Sequence, residues 1–332
     1  NHPAGFDDRQ AGLQPTMPVT EAARLILRTQ LWTILGDEAG VRFSDDIEFV
    51  HDMRVAIRRS RVAIKLFGHY FTGKMLRKAN RALRKTGRRL GAVRDLDVAL
   101  FNAQNETTQN EPAHDATVHD ATVHDDAAPT DPVIEQWQAA RTQAHTRLLK
   151  WLDSKEYRSF LRAYIHFCNT PFDHAVSLGH APGKSPTPQQ VRHVFPGLLL
   201  EQYSVIRTYE TLLPTKPGGN QPAVDYATIH ALRIDCKQLR YNLEFCRELL
   251  GKEGELLITR LRDLQEHLGA LNDTVVGLAM LDSPSASDEL TGKHQARLDA
   301  QREMLLAQTP SMLGKFVNLA SRRLVGSVIA QL

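Results

Sequence analysis

The chain has 332 residues, 42% hydrophobic and 24% charged, with a formal net charge of +3. That composition excludes general disorder and can fill one large core or two medium ones. No run approaches the roughly 18 apolar residues of a membrane span, the three cysteines form no disulfide pattern, and residues 1–14 lack the basic-then-apolar order of a signal peptide, so a cytoplasmic protein is expected.

Apolar residues recur at helical spacing along almost the whole chain, and no alternating strand stands out. The first helix is expected from Thr20, a plausible N-cap after Pro18, to Asp37. A second spans about Asp45–Tyr70 and a third about Thr72–Gln104. Composition then changes. His114-Asp115-Ala116-Thr117-Val118 repeats as His119-Asp120-Ala121-Thr122-Val123, and residues 102–131 carry seven acids and no Lys or Arg. A five-residue period fits neither a helix face nor a strand face, so a disordered acidic insertion is expected at about 105–131. Helices resume at Asp131–Leu152, with Pro132 at the first helical position, and at Lys155–Cys168. A stretch rich in Pro, Gly and Ser follows. Beyond it, helices are expected at Gln189–Leu213 (bent at Pro196), Tyr226–Leu250, Gly254–Leu281, Ser285–Ala307 and Ser311–Gln331.

The strongest architectural signal is a repeat. His51-Asp52-Met53-Arg54-Val55-Ala56-Ile57-Arg58-Arg59-Ser60-Arg61 returns as His230-Ala231-Leu232-Arg233-Ile234-Asp235-Cys236-Lys237-Gln238-Leu239-Arg240. Leu90-Gly91-Ala92-Val93-Arg94-Asp95 returns as Leu268-Gly269-Ala270-Leu271-Asn272-Asp273, and Arg28 and Arg207 stand equally far before His51 and His230. The expected fold is therefore all-α: two tandem helical bundles of the four-helix type, related by internal duplication and pseudo-two-fold symmetry. Residues 1–17 are expected as a flexible leader, 18–172 as the first bundle, 173–188 as a linker and 189–332 as the second bundle.

On a helical wheel His51, Arg54, Arg58, Arg61 and Lys65 fall in one stripe roughly 80° wide. His230, Arg233, Lys237 and Arg240 take the same angles. Apolar residues flank both stripes: Val55, Val62 and Leu66 on one side of the first, Met53, Ile57, Ile64 and Phe67 on the other. In the second copy Ile234, Tyr241 and Phe245 face Leu232, Leu239 and Leu243 across the stripe. A narrow basic track between two apolar faces suggests a helix packed on both sides, its cations lining a groove or channel. From His51 to Arg94 there are fourteen Lys or Arg against one acid, Asp52. Like charges crowded without carboxylates need an external anion, so a polyanion is the expected partner. The third helix extends the basic surface through Arg81, Arg84 and Arg88, over an apolar face of Leu76, Ala79, Leu83 and Leu90; Arg84 has a counterpart in Arg262. Asp95 and Asp273 read as structural, orienting a stripe arginine, and Gly91 and Gly269 as permitting close helix packing. No metal or other cofactor is expected, on the reading that no His-x-x-x-His, Glu-x-x-His or cysteine pair accompanies either histidine.

The His-x-x-Arg-[Val/Ile]-x-x-[Arg/Lys] helix, the Leu-Gly-x-x-[Arg/Asn]-Asp signature and the recurrence of both resemble the CHAD family, the conserved histidine α-helical domain. The resemblance spans about Val19 to Leu332. It implies two related helical bundles, a basic central groove that binds inorganic polyphosphate, and association with polyphosphate granules. Carried over position by position, its basic ligands are His51, Arg54, Arg58, Arg61, His230, Arg233, Lys237 and Arg240. Glu244 stands where the first copy has Lys65, and Asn272 where it has Arg94, so the first copy should carry more of the affinity.

The expected function is therefore non-catalytic polyphosphate binding. Linear polyphosphate has no bases to stack, and arginine forks and lysine point charges suit its oxygens. Single-stranded nucleic-acid binding is the first alternative, disfavoured because no aromatic residue interrupts the stripes except Tyr241 on a flank. A metal-dependent phosphohydrolase is the second; the sequence has no carboxylate cluster, phosphate-cradling glycine loop or activated nucleophile for it.

Overall fold

The computed structural model describes residues 11–109, 132–176, 189–213, 225–281 and 289–332. Among these residues the secondary structure is helical: α1 Val19–Phe43, α2 Ile47–Phe67, α3 Gly73–Gln109, α4 Pro132–Leu152, α5 Lys155–Asn169, α6 Val191–Leu212, α7 Tyr226–Phe245, α8 Gly251–Leu281, α9 Glu289–Val317 and α10 Leu319–Gln331. Short 3-10 turns at Gly68–Tyr70 and Arg247–Leu249 follow α2 and α7. The chain forms two compact units, one of residues 1–11 and 23–182, the other of 12–22 and 183–332. No described helix is long and apolar enough to cross a membrane.

In the first unit α2 packs against α3, and α3 against α4 and α5. Met53, Ile57, Ile64 and Phe67 of α2, with Leu76, Ala79, Leu83 and Leu90 of α3, are buried as the wheel requires. Burying each of the larger side chains contributes about 1.5–3 kcal/mol. The other flank of the α2 stripe differs from expectation. Val55, Val62 and Leu66 are only half-buried, so α2 has one fully packed face and a second that stays at the solvent edge. Tyr157, Tyr164 and Phe167 of α5 complete the core, with Phe71 edge-on to Phe167 at 5.3 Å between ring centroids.

In the second unit α6, α7 and α8 pack in sequence, and α9 and α10 return against α8. Leu232, Leu239 and Leu243 of α7 and Leu257, Ile258, Leu261, Leu264 and Leu268 of α8 are all buried, and the two helices pack together. Tyr241 and Phe245 are buried, but Ile234 is exposed, so the expected second apolar wall is incomplete here too.

Several boundaries move, each for a packing reason. The first helix runs six residues past Asp37, because Val41 is fully buried and Arg42 is held by Glu38, one turn back, at 2.8 Å. Gly40 lies under the Phe49 ring, where a Cβ would stand 2.2 Å from the ring carbons. The break expected at Ser311 falls instead at Asn318, whose Oδ1 accepts the Ser321 N–H. α9 continues through Pro310 because Leu313, Phe316 and Val317 bury their side chains. Residues 11–17, expected in the leader, are held: Leu13 is buried, its N–H and that of Gly12 donate to Glu248, and the Met17 carbonyl accepts the Val191 N–H. Residues 105–109, expected in the insertion, continue α3, while 110–131 lie outside the described residues. Residues 173–176, expected as linker, tie back to the α2–α3 junction: the Thr72 N–H donates to His174 O, and the Val176 N–H to Tyr70 O. The rest of the linker, 177–188, also lies outside.

Candidate polyanion-binding surface

The site of the first unit is built on α2. Asp46 caps the helix by accepting the Glu48 N–H, which starts the helical register that lines up His51, Arg54, Arg58, Arg61 and Lys65. His51, Arg54 and Arg58 are half-buried, and Arg61 and Lys65 are exposed. α3 lies beside α2 and brings its own cations to the same place. Arg61 feels both Arg84 and Arg88: burial first, then these two charges, push its guanidinium below its ordinary pKa. Among the described residues no carboxylate lies within ion-pair distance of Arg58, Arg61, Lys65, Arg81, Arg84 or Arg88. The like-charge crowding anticipated from the sequence is therefore present, and it sits at a solvent edge rather than in the interior.

Arg54 is handled differently. Asp95 on α3 stands 3.6 Å from its guanidinium, and Gly91, one turn earlier, leaves the surface over which that guanidinium lies, with a Cβ there 3.7 Å from Nε. Asp95 thus takes the orienting role expected of it. A Cβ on Gly91 would make only ordinary contact with that guanidinium and one on Gly269 would meet nothing within 4 Å, so close packing explains neither glycine. Arg94 reaches back to the start of α2, where it bonds the Ile47 carbonyl and Glu48.

Glu48, His51 and Asp52 bring ligand atoms within 4.8 Å of one another. Glu48-x-x-His51 is a Glu-x-x-His spacing, which corrects the reading that none accompanies the histidine. All three lie toward solvent and Glu48 is already engaged by Arg94 at 3.3 Å. Asp37 is near this group: burial and the charge of Asp52 raise its carboxyl to about 6. Arg28, the expected contributor from α1, is half-buried, and its charge acts on the Cys168 thiol of α5.

The second unit repeats the local design with more compensation. Asp225 caps α7 by accepting the Thr228 N–H. His230 is exposed beside the Tyr226 ring, and Arg233, Lys237 and Arg240 are half-buried. Arg240 pairs with Glu244 at 3.5 Å, one turn on, so the acid that replaces Lys65 also neutralises its neighbour. Arg207 on α6 pairs with Glu210 at 3.4 Å. Arg262 on α8 is exposed, and its charge acts on Glu255. Asn272 accepts a hydrogen bond from the Tyr226 hydroxyl at 3.0 Å, tying α8 to the first turn of α7 much as Arg94 ties α3 to α2.

No matching relative is found among curated proteins. Two solved structures are similar in fold: the crystal structure of the CHAD domain from the plant Ricinus communis (22% identity, TM-score 0.65, covering 92% of this chain and 95% of that one) and PptA from Streptomyces chartreusis (15% identity, TM-score 0.56, covering 91% and 98%). The sequence profile of the CHAD domain matches residues 25–282, which take in both histidine helices and both Leu-Gly signatures, and the chain therefore belongs to the CHAD domain family.

Proposed function

We propose that this protein binds inorganic polyphosphate without catalysing its turnover, through the α2–α3 cation surface of the first unit and the α7 stripe of the second. The observation that carries the reading is the set Arg61, Arg84 and Arg88: three arginines from two helices, with the charges of Arg84 and Arg88 acting on Arg61 and no carboxylate partner among the described residues. A linear chain of phosphate oxygens supplies the missing charge repeatedly along one line, which suits the stripe's helical spacing. Recruitment to polyphosphate granules in the cytoplasm follows from that affinity. The family resemblance supports the same partner. We also read the two units as products of duplication, since the Asp caps, the histidines, the cation spacing and the Leu-Gly signatures recur in the same order.

Single-stranded nucleic acid fits less well. Tyr241, the aromatic residue on a stripe flank, is buried and offers no stacking platform. The test is direct titration with long-chain polyphosphate, single-stranded DNA and RNA at several salt concentrations. Polyphosphate should bind most tightly, with steep salt dependence; equal or tighter binding of RNA overturns the assignment. Incubation with polyphosphate and a divalent metal tests the hydrolase reading, which chain shortening above background would revive.

A further inference from the structure

The face of α3 that turns away from Arg61 borders a surface cavity of about 430 Å³, lined by Arg89, Arg147, Lys150, Trp151 and Ser154. It lies within the first unit, between α3, α4 and the start of α5. Arg88 and Arg89 are consecutive and so point roughly 100° apart; one belongs to the stripe surface and the other to this cavity. We propose that the cavity is a second anion site, separate from the stripe, which takes a compact oligophosphate: free pyrophosphate or tripolyphosphate, or the end of a longer chain.

Three features carry this. First, the carboxylates at the α4–α5 turn are already held. Asp153 pairs with Arg42 at 2.8 Å and Glu156 with Lys85 at 2.6 Å. Among the described residues none is left within ion-pair distance of Arg89, Arg147 or Lys150. Second, Arg89 is pre-positioned. Its guanidinium lies 4.8 Å from the centre of the Trp151 ring and donates to the Lys85 carbonyl at 3.1 Å. The Trp151 indole is fixed in turn by donating to Thr86 Oγ1 at 2.8 Å. An arginine held in place loses less freedom when it binds a ligand. Third, Ser154 caps the 15-residue α5, so the positive end of that helix adds to the field in the cavity.

The same geometry excludes a nucleobase. Trp151 is 94% buried, with Arg89 and Lys85 both packed on its ring, so it has no face to offer. What remains is cationic heads around aliphatic stems, which fits a small, highly charged anion without a planar group.

The reporter is the Trp151 indole N–H, followed by NMR in 15N-tryptophan protein and assigned by Trp32→Phe and Trp137→Phe. Tripolyphosphate should shift it saturably in the native chain. In an Arg147→Gln, Lys150→Gln variant, both positions being exposed, the apparent affinity should fall at least about tenfold, the size expected on losing two charge-assisted contacts. A stripe variant, Arg61→Gln with Arg84→Gln and Arg88→Gln, should keep the shift. Long-chain binding left intact in that variant, with the Trp151 shift retained, would sink the stripe reading and leave this site standing. No shift in the native chain, an equal shift in the Arg147, Lys150 variant, or an equal shift with sulfate at the same ionic strength overturns the second site. Long-chain polyphosphate added to the stripe variant tells chain ends from free oligophosphate: a shift at matched end-group concentration means that ends enter the cavity, and its absence restricts the site to free ligand.

Discussion

Changing Arg61, Arg84 and Arg88 together to Gln tests the central argument, because it should weaken binding while strengthening the fold. Gln keeps most of each aliphatic stem, so the packing of the half-apolar side chains is largely preserved. Among the described residues none of the three has a carboxylate within ion-pair distance, so no salt bridge there is lost. Arg84 and Arg88 are one turn apart on α3, and Arg61 faces both. A like-charge pair at that spacing destabilises by about 0.2–0.5 kcal/mol. Three such pairs make about 0.6–1.5 kcal/mol of repulsion to relieve at low salt. For a unit of this size about 1 kcal/mol moves Tm by roughly 2–4 °C, so the ligand-free variant should melt about 1–6 °C higher, and the gain should shrink as salt is added. Binding should move the opposite way. If each arginine meets one phosphate, the slope of log affinity against log salt should fall by about 2–3, using the nucleic-acid value of roughly 0.7–0.9 per contact. The measurements are thermal denaturation without ligand and polyphosphate titration at four salt concentrations. A Tm lowered by several degrees would mean that the arginines are paired within the native fold, and an unchanged salt slope would mean that they do not meet the ligand.

Three further outcomes follow from the geometry. Burial and Asp52 hold the Asp37 carboxyl up at about 6, so the folded chain keeps that proton more tightly than the unfolded chain does. The resulting stability is complete below the unfolded value of 3.8 and is lost as pH rises through about 6. Asp37→Asn should therefore stabilise at about pH 8, by no more than about 1 kcal/mol given its partial exposure, and the gap to the native chain should close toward about pH 4 in paired melting curves. Glu244→Lys removes the acid 3.5 Å from Arg240 and restores the cation of the first copy; polyphosphate titration should show a steeper salt slope, by about one to two contacts, and an unchanged slope would exclude this end of α7 from the binding surface. Arg141→Ala strands Asp97, whose side chain is 1% exposed and pairs with Arg141 at 2.8 Å. Loss of a buried partner of this kind costs about 3 kcal/mol, measurable by urea unfolding, and a loss below about 1 kcal/mol would show that Asp97 protonates or finds water.

Periodicity carried most of the fold. The helices were legible because their buried faces follow the 3.6-residue repeat, and the Asp46 and Asp225 caps sit where the pattern begins. Helix ends were harder to read, since tertiary contacts set them. Nothing local says that α1 should pass Gly40 or that α9 should pass Pro310; Val41 and Phe316 decide this by burial against distant elements. The cation stripe was legible for the same reason as the core, being the other side of one wheel. Its orienting acid Asp95 was legible from the repeated Leu-Gly signature. The Trp151 cavity was not legible, because Arg89, Arg147 and Ser154 come from three helices and share no spacing. Glu48 was visible in principle, three residues before His51, but an acid in a first helical turn ordinarily reads as a response to the helix dipole.

The two histidine helices carry the same cation spacing, and their surroundings treat that charge differently. In the second, Arg207 has Glu210, Arg240 has Glu244, and Arg262 acts on Glu255, while Asp263 and Glu266 stand exposed on the helix that corresponds to α3. In the first, six cations on α2 and α3 have no acid within ion-pair distance among the described residues. An arginine already paired must exchange one anion for another on binding, and the net gain is small; an arginine that has only like-charged neighbours gains the full attraction and loses the repulsion as well. The same count of basic residues therefore yields different affinities. The first unit should account for most of the salt-dependent binding, and the second should add contacts whose removal changes the slope less. Matched charge-neutralising triples in the two units, titrated under one set of salt conditions, measure that inequality; equal losses would show that the carboxylates of the second unit swing away from their partners when polyphosphate arrives.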